Sequence, residues 1–150
     1  MISEKYIKKA KLQRYFPLPN SIFDIGLEAG EIAVYAYLLY CEDRKTFQCY
    51  PSYKTIGSAV GLSRNTVRKY VMSLEEKRLI KTELTKVKTK DGKVRNGNVL
   101  YTILPIDNAI EYYNFQQAKT FEHEELLKKK QQLLSEFGST KLRETTRKTS

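Results

Sequence analysis

The sequence predicts a mainly α-helical fold with one small β-hairpin, and three observations lead to this prediction. Apolar residues recur at helical spacing in three successive segments between residues 27 and 77. Two β-prone segments, the first starting at Ile80 and the second ending at Leu104, flank a run that contains Asp-Gly and Asn-Gly, the pairs favoured in hairpin turns. A further helical segment follows Pro105. A chain of 150 residues has room for one such domain with an appendage.

The chain begins with a basic arm, residues 1–14, and a short lead-in to the first helix. Residues 15–20 (YFPLPN) are predicted to be extended, because each proline fixes its own φ and disfavours a helical conformation in the residue before it. Three apolar residues are then expected to attach the lead-in to the core: Ile22, Phe23 and Ile25.

The first helix is predicted over residues 27–43. Glu28 and Glu31 lie in its first turn, where the positive end of the helix dipole favours acidic side chains. The apolar stripe that recurs at helical spacing consists of Ile32, Tyr35, Ala36 and Leu39, widened by Leu38. The tyrosines are expected to pack in the core and at its rim: Tyr35, Tyr37 and Tyr40.

Two shorter helices follow a minimal strand at residues 46–50. Ser52 is predicted to cap the first of them and Ser63 the second, because a serine hydroxyl accepts a hydrogen bond from a free N–H at a helix start. Gly61 supplies the left-handed turn that ends the first helix, and the second runs to about Lys77. The inward residues of the first are expected to be Ile56, Ala59 and Val60. Those of the second are expected to be Val67, Leu74 and either Tyr70 or Val71, with Leu62 packing the turn.

Residues 55–71 (TIGSAVGLSRNTVRKYV) have the pattern of a helix-turn-helix. Two helices that meet near a right angle need a small residue at their crossing and a tight turn between them, and Gly57 and Gly61 stand at those positions. A β-hairpin follows, with strands predicted over residues 80–87 and 99–104. This order of elements predicts a winged helix-turn-helix domain over residues 15–104.

The rest of the chain is predicted to be a helical extension and a tail. Residues 105–137 have helical character with a break near residues 114–120, and Gly138 is expected to close the helix. Residues 138–150 are polar, basic and without periodicity, which predicts a disordered tail.

The segments FQCYPSYKTIG and AVGLSRNTVRKYVMSLEEKRLIK, within residues 47–81, resemble the winged helix-turn-helix domains of plasmid- and phage-type replication proteins and related bacterial regulators. The FPLPN of the lead-in also matches that family, so the resemblance covers about residues 15–104. It implies the winged fold and DNA binding. Gly57 stands where the family more often has alanine, and Lys77 where it often has a glycine or a charged residue; neither departure is expected to change the fold.

The outward face of the second motif helix predicts a double-stranded DNA interface independently of that resemblance. The N-terminal part of a recognition helix reaches base edges in the major groove. Arginine matches guanine and asparagine matches adenine through paired hydrogen bonds, while hydroxyls and helix-start N–H groups suit phosphates. The residues expected at this face are Ser63, Arg64, Asn65, Thr66, Arg68 and Lys69, with Ser52 and Lys54 as further phosphate contacts. A merely solvated face is disfavoured because no acidic residue occurs from 63 to 74.

The positive charge is concentrated in the same region. The chain has a formal net charge of +10, and residues 64–95 contain eleven basic and four acidic side chains. Such a balance favours a polyanionic partner. The β-hairpin forms the wing of such a domain, and the wing residues expected to contact DNA are Lys88, Lys90, Lys93 and Arg95. Alternatively, lysines in a hairpin discourage edge-to-edge aggregation.

The sequence gives no sign of an enzyme, a cofactor, a metal site, a small-molecule ligand or a membrane span. It contains no paired carboxylates, nucleophile–base set or phosphate-binding glycine loop. Cys41 and Cys49 are predicted to be free thiols, and a single histidine, His123, is too little for a zinc site. We expect a cytoplasmic protein.

The predicted function is sequence-specific binding of double-stranded DNA, as a transcriptional regulator or as a factor in mobile-element replication. The alternative is a winged helix that binds an acidic protein partner. Leucines spaced seven apart also predict a homodimer through residues 121–137, unless that helix folds back on its own domain. The residues behind the dimer prediction are Leu126, Leu127, Leu133, Leu134 and Phe137, with Tyr112, Tyr113 and Phe115 as further candidates.

Overall fold

A computed structural model describes the backbone of residues 15–148 and the side chains of residues 15–138, so the predicted basic arm lies outside the described residues. The chain divides into two units, Met1–Tyr113 and Asn114–Ser150. The helices are α1 (Ala29–Cys41), α2 (Tyr53–Val60), α3 (Arg64–Glu76) and α4 (Ile106–Lys148). The strands are β1 (Gln48–Cys49), β2 (Ile80–Lys88) and β3 (Val94–Ile103). This mainly helical fold with a small sheet confirms the predicted fold class.

The lead-in forms a single 3-10 turn over Asn20–Phe23 before α1. Ile22 and Ile25 are buried as predicted, but the prediction for Phe23 is wrong, since 70% of it is exposed. The reason is the tight winding. With about three residues per turn, positions three apart share a side, and adjacent positions point in different directions.

Helix α1 is the central helix of the core, and its buried side differs slightly from the predicted stripe. Tyr35 and Leu39 are buried as predicted, together with Val34 and Leu38. Ile32 and Ala36 are only half-buried. Because α1 packs against α2, α3 and β3, the side it must bury is wide and centred on residues 34–38.

A buried carboxylate joins the start of α1 to the end of α3. Glu31 is 1% exposed, and its oxygens accept hydrogen bonds from the Lys77 ammonium at 2.8 Å, the Ser73 hydroxyl at 2.8 Å and the Glu28 N–H at 3.0 Å. Burial raises the pKa of Glu31, but these hydrogen bonds and the Lys77 charge outweigh it, so the pKa lies below its ordinary value of 4.5. The sequence predicted only a dipole interaction for this residue.

The two motif helices begin and cross as predicted. Ser52 and Ser63 accept hydrogen bonds from the N–H groups of Thr55 and Thr66, at 3.1 and 3.2 Å, which confirms both caps. Gly61 has a φ of 75°, in the left-handed region. At the crossing, a Cβ on Gly57 would lie 2.3 Å from the Leu62 carbonyl oxygen, so this chain requires glycine where the resembled family more often has alanine.

The buried sides of these helices correct two details. On α2 the buried residues are Ile56 and Gly57, and the prediction that Ala59 faces inward is wrong, since it is exposed. Gly57 contacts the crossing helix, so the inner side of α2 is rotated towards it. On α3 the buried residues are Val67, Val71 and Leu74, which decides between Val71 and the half-buried Tyr70.

The three strands form an antiparallel sheet in the order β1-β3-β2. The returning strand β3 begins at Val94 rather than at the predicted residue 99. The turn lies at residues 89–93, where Gly92 has a φ of 81°, so Asp-Gly and not Asn-Gly marks the reversal. Gly97 and Asn98 together lie opposite Thr85 as a β-bulge, and a Cβ on Gly97 would lie 2.5 Å from the Thr85 Oγ1. The second glycine therefore serves a close approach between strands.

Helix α4 runs without interruption over 43 residues. Neither the predicted break near residues 114–120 nor the predicted end at Gly138 occurs, and the backbone of residues 138–148 continues the helix where a disordered tail was predicted. The segment contains no proline, and one glycine costs only about 1 kcal/mol relative to alanine inside a helix. Within residues 15–148, no helix combines the length and apolar character needed to cross a membrane.

Candidate nucleic-acid interface

The outer side of α3 is polar and cationic. Burial of Val67, Val71 and Leu74 turns the opposite side of the helix to solvent. Of the six residues predicted there, Thr66 is half-buried. The other five are exposed: Ser63, Arg64, Asn65, Arg68 and Lys69. The side chains predicted from the sequence are thus brought together at the start of one helix.

One group of these residues lines a shallow depression of about 680 Å³ along α3. Asn65, Arg68, Lys69 and Met72 follow one another at helical spacing on its floor. Met72 is 61% exposed and was missed by sequence reasoning, although its position seven residues after Asn65 places it on the same face. A thioether of this kind offers apolar contact, as a thymine methyl group requires. Glu76 lies at the far end, where a carboxylate would repel DNA.

Arg64 lines a different cavity, a cleft of about 340 Å³ between the starts of α2 and α3 and strand β3. Ser52 and Lys54 line the same cleft, together with Asn98. The sequence grouped Arg64 with the base-reading residues, whereas the cleft groups it with the two predicted phosphate contacts. A cleft with two cations and a helix start matches a phosphate group.

The serine hydroxyls that cap α2 and α3 already share hydrogen bonds with neighbouring threonines. The Ser63 and Thr66 hydroxyls lie 2.9 Å apart, and so do those of Ser52 and Thr55. Within each pair one hydroxyl donates to the other, so only one proton per pair is free for an outside acceptor. Ser63 and Thr66 therefore cannot both donate to phosphates.

The four predicted wing cations are all exposed, but they do not share one face. Lys88 pairs with Val94, and Arg95 pairs with Val87, in adjacent positions of the ladder. Because adjacent positions of a strand point to opposite faces, Lys88 and Arg95 lie on opposite sides of the hairpin. Lys90 and Lys93 lie in the turn between them.

Four of the eleven cations in residues 64–95 have neighbours within the fold, and one of them is Lys69, whose ammonium lies 5.4 Å from the centroid of the Tyr70 ring. Lys77 pairs with Glu31, and Lys81 lies 3.2 Å from Glu83. The Arg78 guanidinium stacks over the Tyr112 ring at 5.1 Å. These contacts leave the excess positive charge on α3 and on the wing.

The described part of the chain contains no cluster of histidine, cysteine and acidic residues able to hold a metal ion. Both cysteines are free thiols, and Cys49 is buried with its Sγ 3.6 Å from the Leu38 carbonyl oxygen. Burial raises the pKa of Cys49 to about 12, so its thiol stays protonated at neutral pH.

The helix-turn-helix segment has a counterpart among known protein families. The family model described as a helix-turn-helix domain matches residues 26–80, and this part of the chain is similar to that family. No curated protein matches the chain.

Three solved structures are similar to the chain at low identity. One is a possible transcriptional regulator from Methanosarcina mazei Go1, with 19% identity, a TM-score of 0.44, and coverage of 67% of this chain and 78% of that one. A doubly substituted ZitR of Lactococcus lactis has 20% identity, a TM-score of 0.36, and coverage of 94% and 90%. A singly substituted ZitR in complex with DNA has 19% identity, a TM-score of 0.36, and coverage of 94% and 93%.

Proposed function

We propose that this helix-turn-helix protein is a transcriptional regulator that binds double-stranded DNA in a sequence-specific manner, with α3 as its recognition helix. The observation that carries the proposal is the outer side of α3. Its exposed residues are cationic or amide-bearing through Lys69, and no carboxylate occurs on the helix before Glu75. The major groove of duplex DNA, about 12 Å wide, admits a helix of this kind.

The two cavities divide the interface by role. Asn65, Arg68 and Met72 line the depression along α3 and read base edges, with Lys69 beside them. Arg64 and Lys54 line the cleft at the start of α2 and hold the sugar–phosphate backbone. The wing cations contact a neighbouring stretch of backbone or minor groove.

Selection of bound sites from random duplex DNA tests the proposal directly. We expect an enriched motif. Asn65→Ala and Arg68→Ala should each weaken binding to that motif by about 1–3 kcal/mol and relax the preference at one position. Lys54→Ala and Arg64→Ala should weaken specific and random DNA alike and reduce the salt slope by about 1 each.

Two results would contradict this assignment. No enriched motif, together with duplex binding that lacks a steep salt dependence, would favour the protein-interaction alternative. Loss of base preference in Arg64→Ala would return Arg64 to the base-reading group. The resemblance to plasmid and phage replication proteins adds a narrower role in replication, which predicts that the selected motif recurs at a replication origin rather than at a promoter.

We further propose that the protein acts as a homodimer joined through residues 121–137. Every side chain in this segment of α4 is exposed, including Leu126 at 60% and Leu133 at 65%. Soluble proteins seldom leave such a row of leucines in water, and a second copy supplies an equivalent row. A dimer would present two recognition helices to two half-sites, so the selected motif should be palindromic.

Sedimentation tests the dimer at tens of micromolar protein. We expect a dimer for the unmodified chain and a monomer for the double variant Leu126→Ser with Leu133→Ser. The matched control is Gln132→Ser, which changes an exposed position of the same helix on the side away from all four leucines. A monomeric unmodified chain would end this part of the proposal without affecting DNA binding by one domain.

A further inference from the structure

A cavity of about 510 Å³ lies on the side of the core formed by the lead-in, α1 and the end of β3. Its walls are almost entirely apolar, with Pro17, Leu39, Phe47 and Ile103 among the residues that line it. Phe47 is 55% exposed, which leaves the cavity open on that side. Pockets that bind small molecules have volumes of about 300–1,000 Å³ and apolar walls with few polar groups, and this cavity has those properties.

Two polar residues line the cavity, Tyr35 and Glu42. The Oε2 atom of Glu42 is buried and has no hydrogen-bond partner among the described residues. No described cation forms an ion pair with this carboxylate, and Arg44 acts on it only through its more distant charge. Rotation about the last bond of the side chain can present either oxygen to the cavity.

The position of Glu42 makes its unpaired charge more unfavourable. Glu42 follows Cys41, the last residue of α1, where the carbonyl ends of the helix carry partial negative charge. Burial raises the pKa of the Glu42 carboxyl, which the Arg44 charge opposes in part. Burial also raises the pKa of Tyr35 to about 12, and the Glu42 charge adds to this. A cation placed here would be attracted by the carboxylate and by the helix end together.

We propose that this cavity binds a small apolar molecule that carries one protonated amine, with the amine paired to Glu42 and the apolar part against Leu39, Phe47 and Ile103. The carboxylate selects the cation, and the apolar walls select an aromatic or aliphatic body. The site is separate from the DNA-binding face of α3, and its ligand-binding properties do not depend on the function proposed for that face.

Tryptamine is a suitable probe because the protein contains no tryptophan, so indole fluorescence reports the ligand alone. Its neutral counterpart tryptophol has a hydroxyl in place of the amine. Indole-3-propionate supplies the opposite charge. Fluorescence anisotropy of each probe, titrated at pH 8 with the full chain, should give a Kd of about 0.1–1 mM for tryptamine, since a ligand of this size has few atoms to contribute. Tryptophol should bind about tenfold more weakly, and indole-3-propionate should not bind.

The decisive variant is Glu42→Gln, which keeps the shape of the side chain and removes its charge. It should weaken tryptamine about tenfold and leave tryptophol within about twofold. The matched control is Glu111→Gln, an exposed substitution outside the cavity that changes the net charge equally and should leave both ligands unaffected. Thermal unfolding verifies that both variants fold.

A second measurement needs no variant. In the unmodified protein, tryptamine should shift the backbone amide resonances of Leu39, Phe47 and Ile103 and leave that of Val67 unchanged. Equal binding of tryptamine and tryptophol, unchanged tryptamine binding in Glu42→Gln, or no saturable binding of tryptamine up to several times the expected Kd would each overturn the proposal. Retained tryptamine binding with resonance shifts elsewhere would overturn it as well, by placing the amine at another site.

Discussion

Helices α3 and α4 both carry an apolar stripe at helical spacing, but the stripe of α3 is buried and that of α4 is exposed. On α3, Val67 and Leu74 are completely buried, while on α4, Leu126 is 60% and Leu133 is 65% exposed. The stripe of α3 packs against α1, α2 and the start of β2, each of which presents a complementary surface. An apolar stripe thus predicts that one side of a helix will be buried. Whether that burial occurs within one chain depends on the elements that lie beside the helix.

The largest difference should appear when one leucine is truncated in each stripe. Leu74→Ala should lower the free energy of unfolding by about 2–5 kcal/mol, because it removes a buried side chain and leaves a cavity. Leu133→Ala should leave the unfolding midpoint unchanged in dilute protein and lower it only at concentrations that favour association. Chemical denaturation at several protein concentrations measures both. A loss in Leu133→Ala that is the same at every concentration would mean that the α4 stripe is covered within the chain.

A second prediction compares two glycines of the helix-turn-helix, Gly57 at the helix crossing and Gly61 in the turn. Gly57→Ala should destabilise the fold by about 1–3 kcal/mol or more, since the added Cβ meets a backbone oxygen that cannot rotate away. The matched control is Gly61→Ala, where no atom of the described residues lies within 4 Å of the added Cβ and only the left-handed φ opposes the side chain. A larger loss in Gly61→Ala than in Gly57→Ala would show that the helix crossing is looser than 2.3 Å implies.

The contrast between the two helices also marks how far sequence reasoning reaches. The caps at Ser52 and Ser63 and the turn at Gly61 were predicted correctly, because each depends on residues within one turn of the chain. The role of Glu31 was missed, since its partners Ser73 and Lys77 lie more than forty positions away and nothing local distinguishes it from an ordinary first-turn acid.

Choices between equivalent local signals also need the fold. The hairpin contains Asp-Gly and Asn-Gly, and only strand register decides that the first forms the turn and the second enters the bulge opposite Thr85. Similarly, Met72 lies on the same side of α3 as Asn65, but its apolar side chain gave no reason to include it in a DNA-binding face. Arg64 was grouped with Arg68 by composition, whereas the cleft beside Lys54 separates them.

A pH-dependent prediction tests the hydrogen bonds that join α1 to α3 through Glu31. The folded pKa of Glu31 lies below its ordinary value of 4.5, so its stabilising effect is present above that value and is lost as the pH falls through the folded pKa. Glu31→Gln should therefore lower the free energy of unfolding by about 1–3 kcal/mol at pH 7 and reduce the loss on acidification.

The magnitude stays below that of a fully buried pair because Lys77 is 32% exposed and keeps part of its hydration. Urea denaturation at pH 7 and at pH 3 measures both quantities. Glu111→Gln, at an exposed position of α4, provides the control and should change neither. If the free energy of unfolding fell as steeply on acidification in Glu31→Gln as in the unmodified protein, the pH dependence would come from other carboxylates.

The smallest expected effect lies in α4 and has the opposite sign. Gly138 is in the helix interior, and a Cβ there would meet no atom of the described residues within 4 Å. Gly138→Ala should therefore stabilise the helix by about 0.5–1 kcal/mol, since alanine loses less backbone entropy than glycine and nothing obstructs its methyl group. Amide hydrogen exchange on either side of residue 138 measures this local stability more directly than global unfolding, because an exposed helix opens without unfolding the core. Slower exchange around residue 138, with unchanged exchange in α3, is the expected result. Unchanged exchange at both places would mean that residues near 138 do not populate the helix in solution, and faster exchange would mean that a neighbouring chain packs against the glycine.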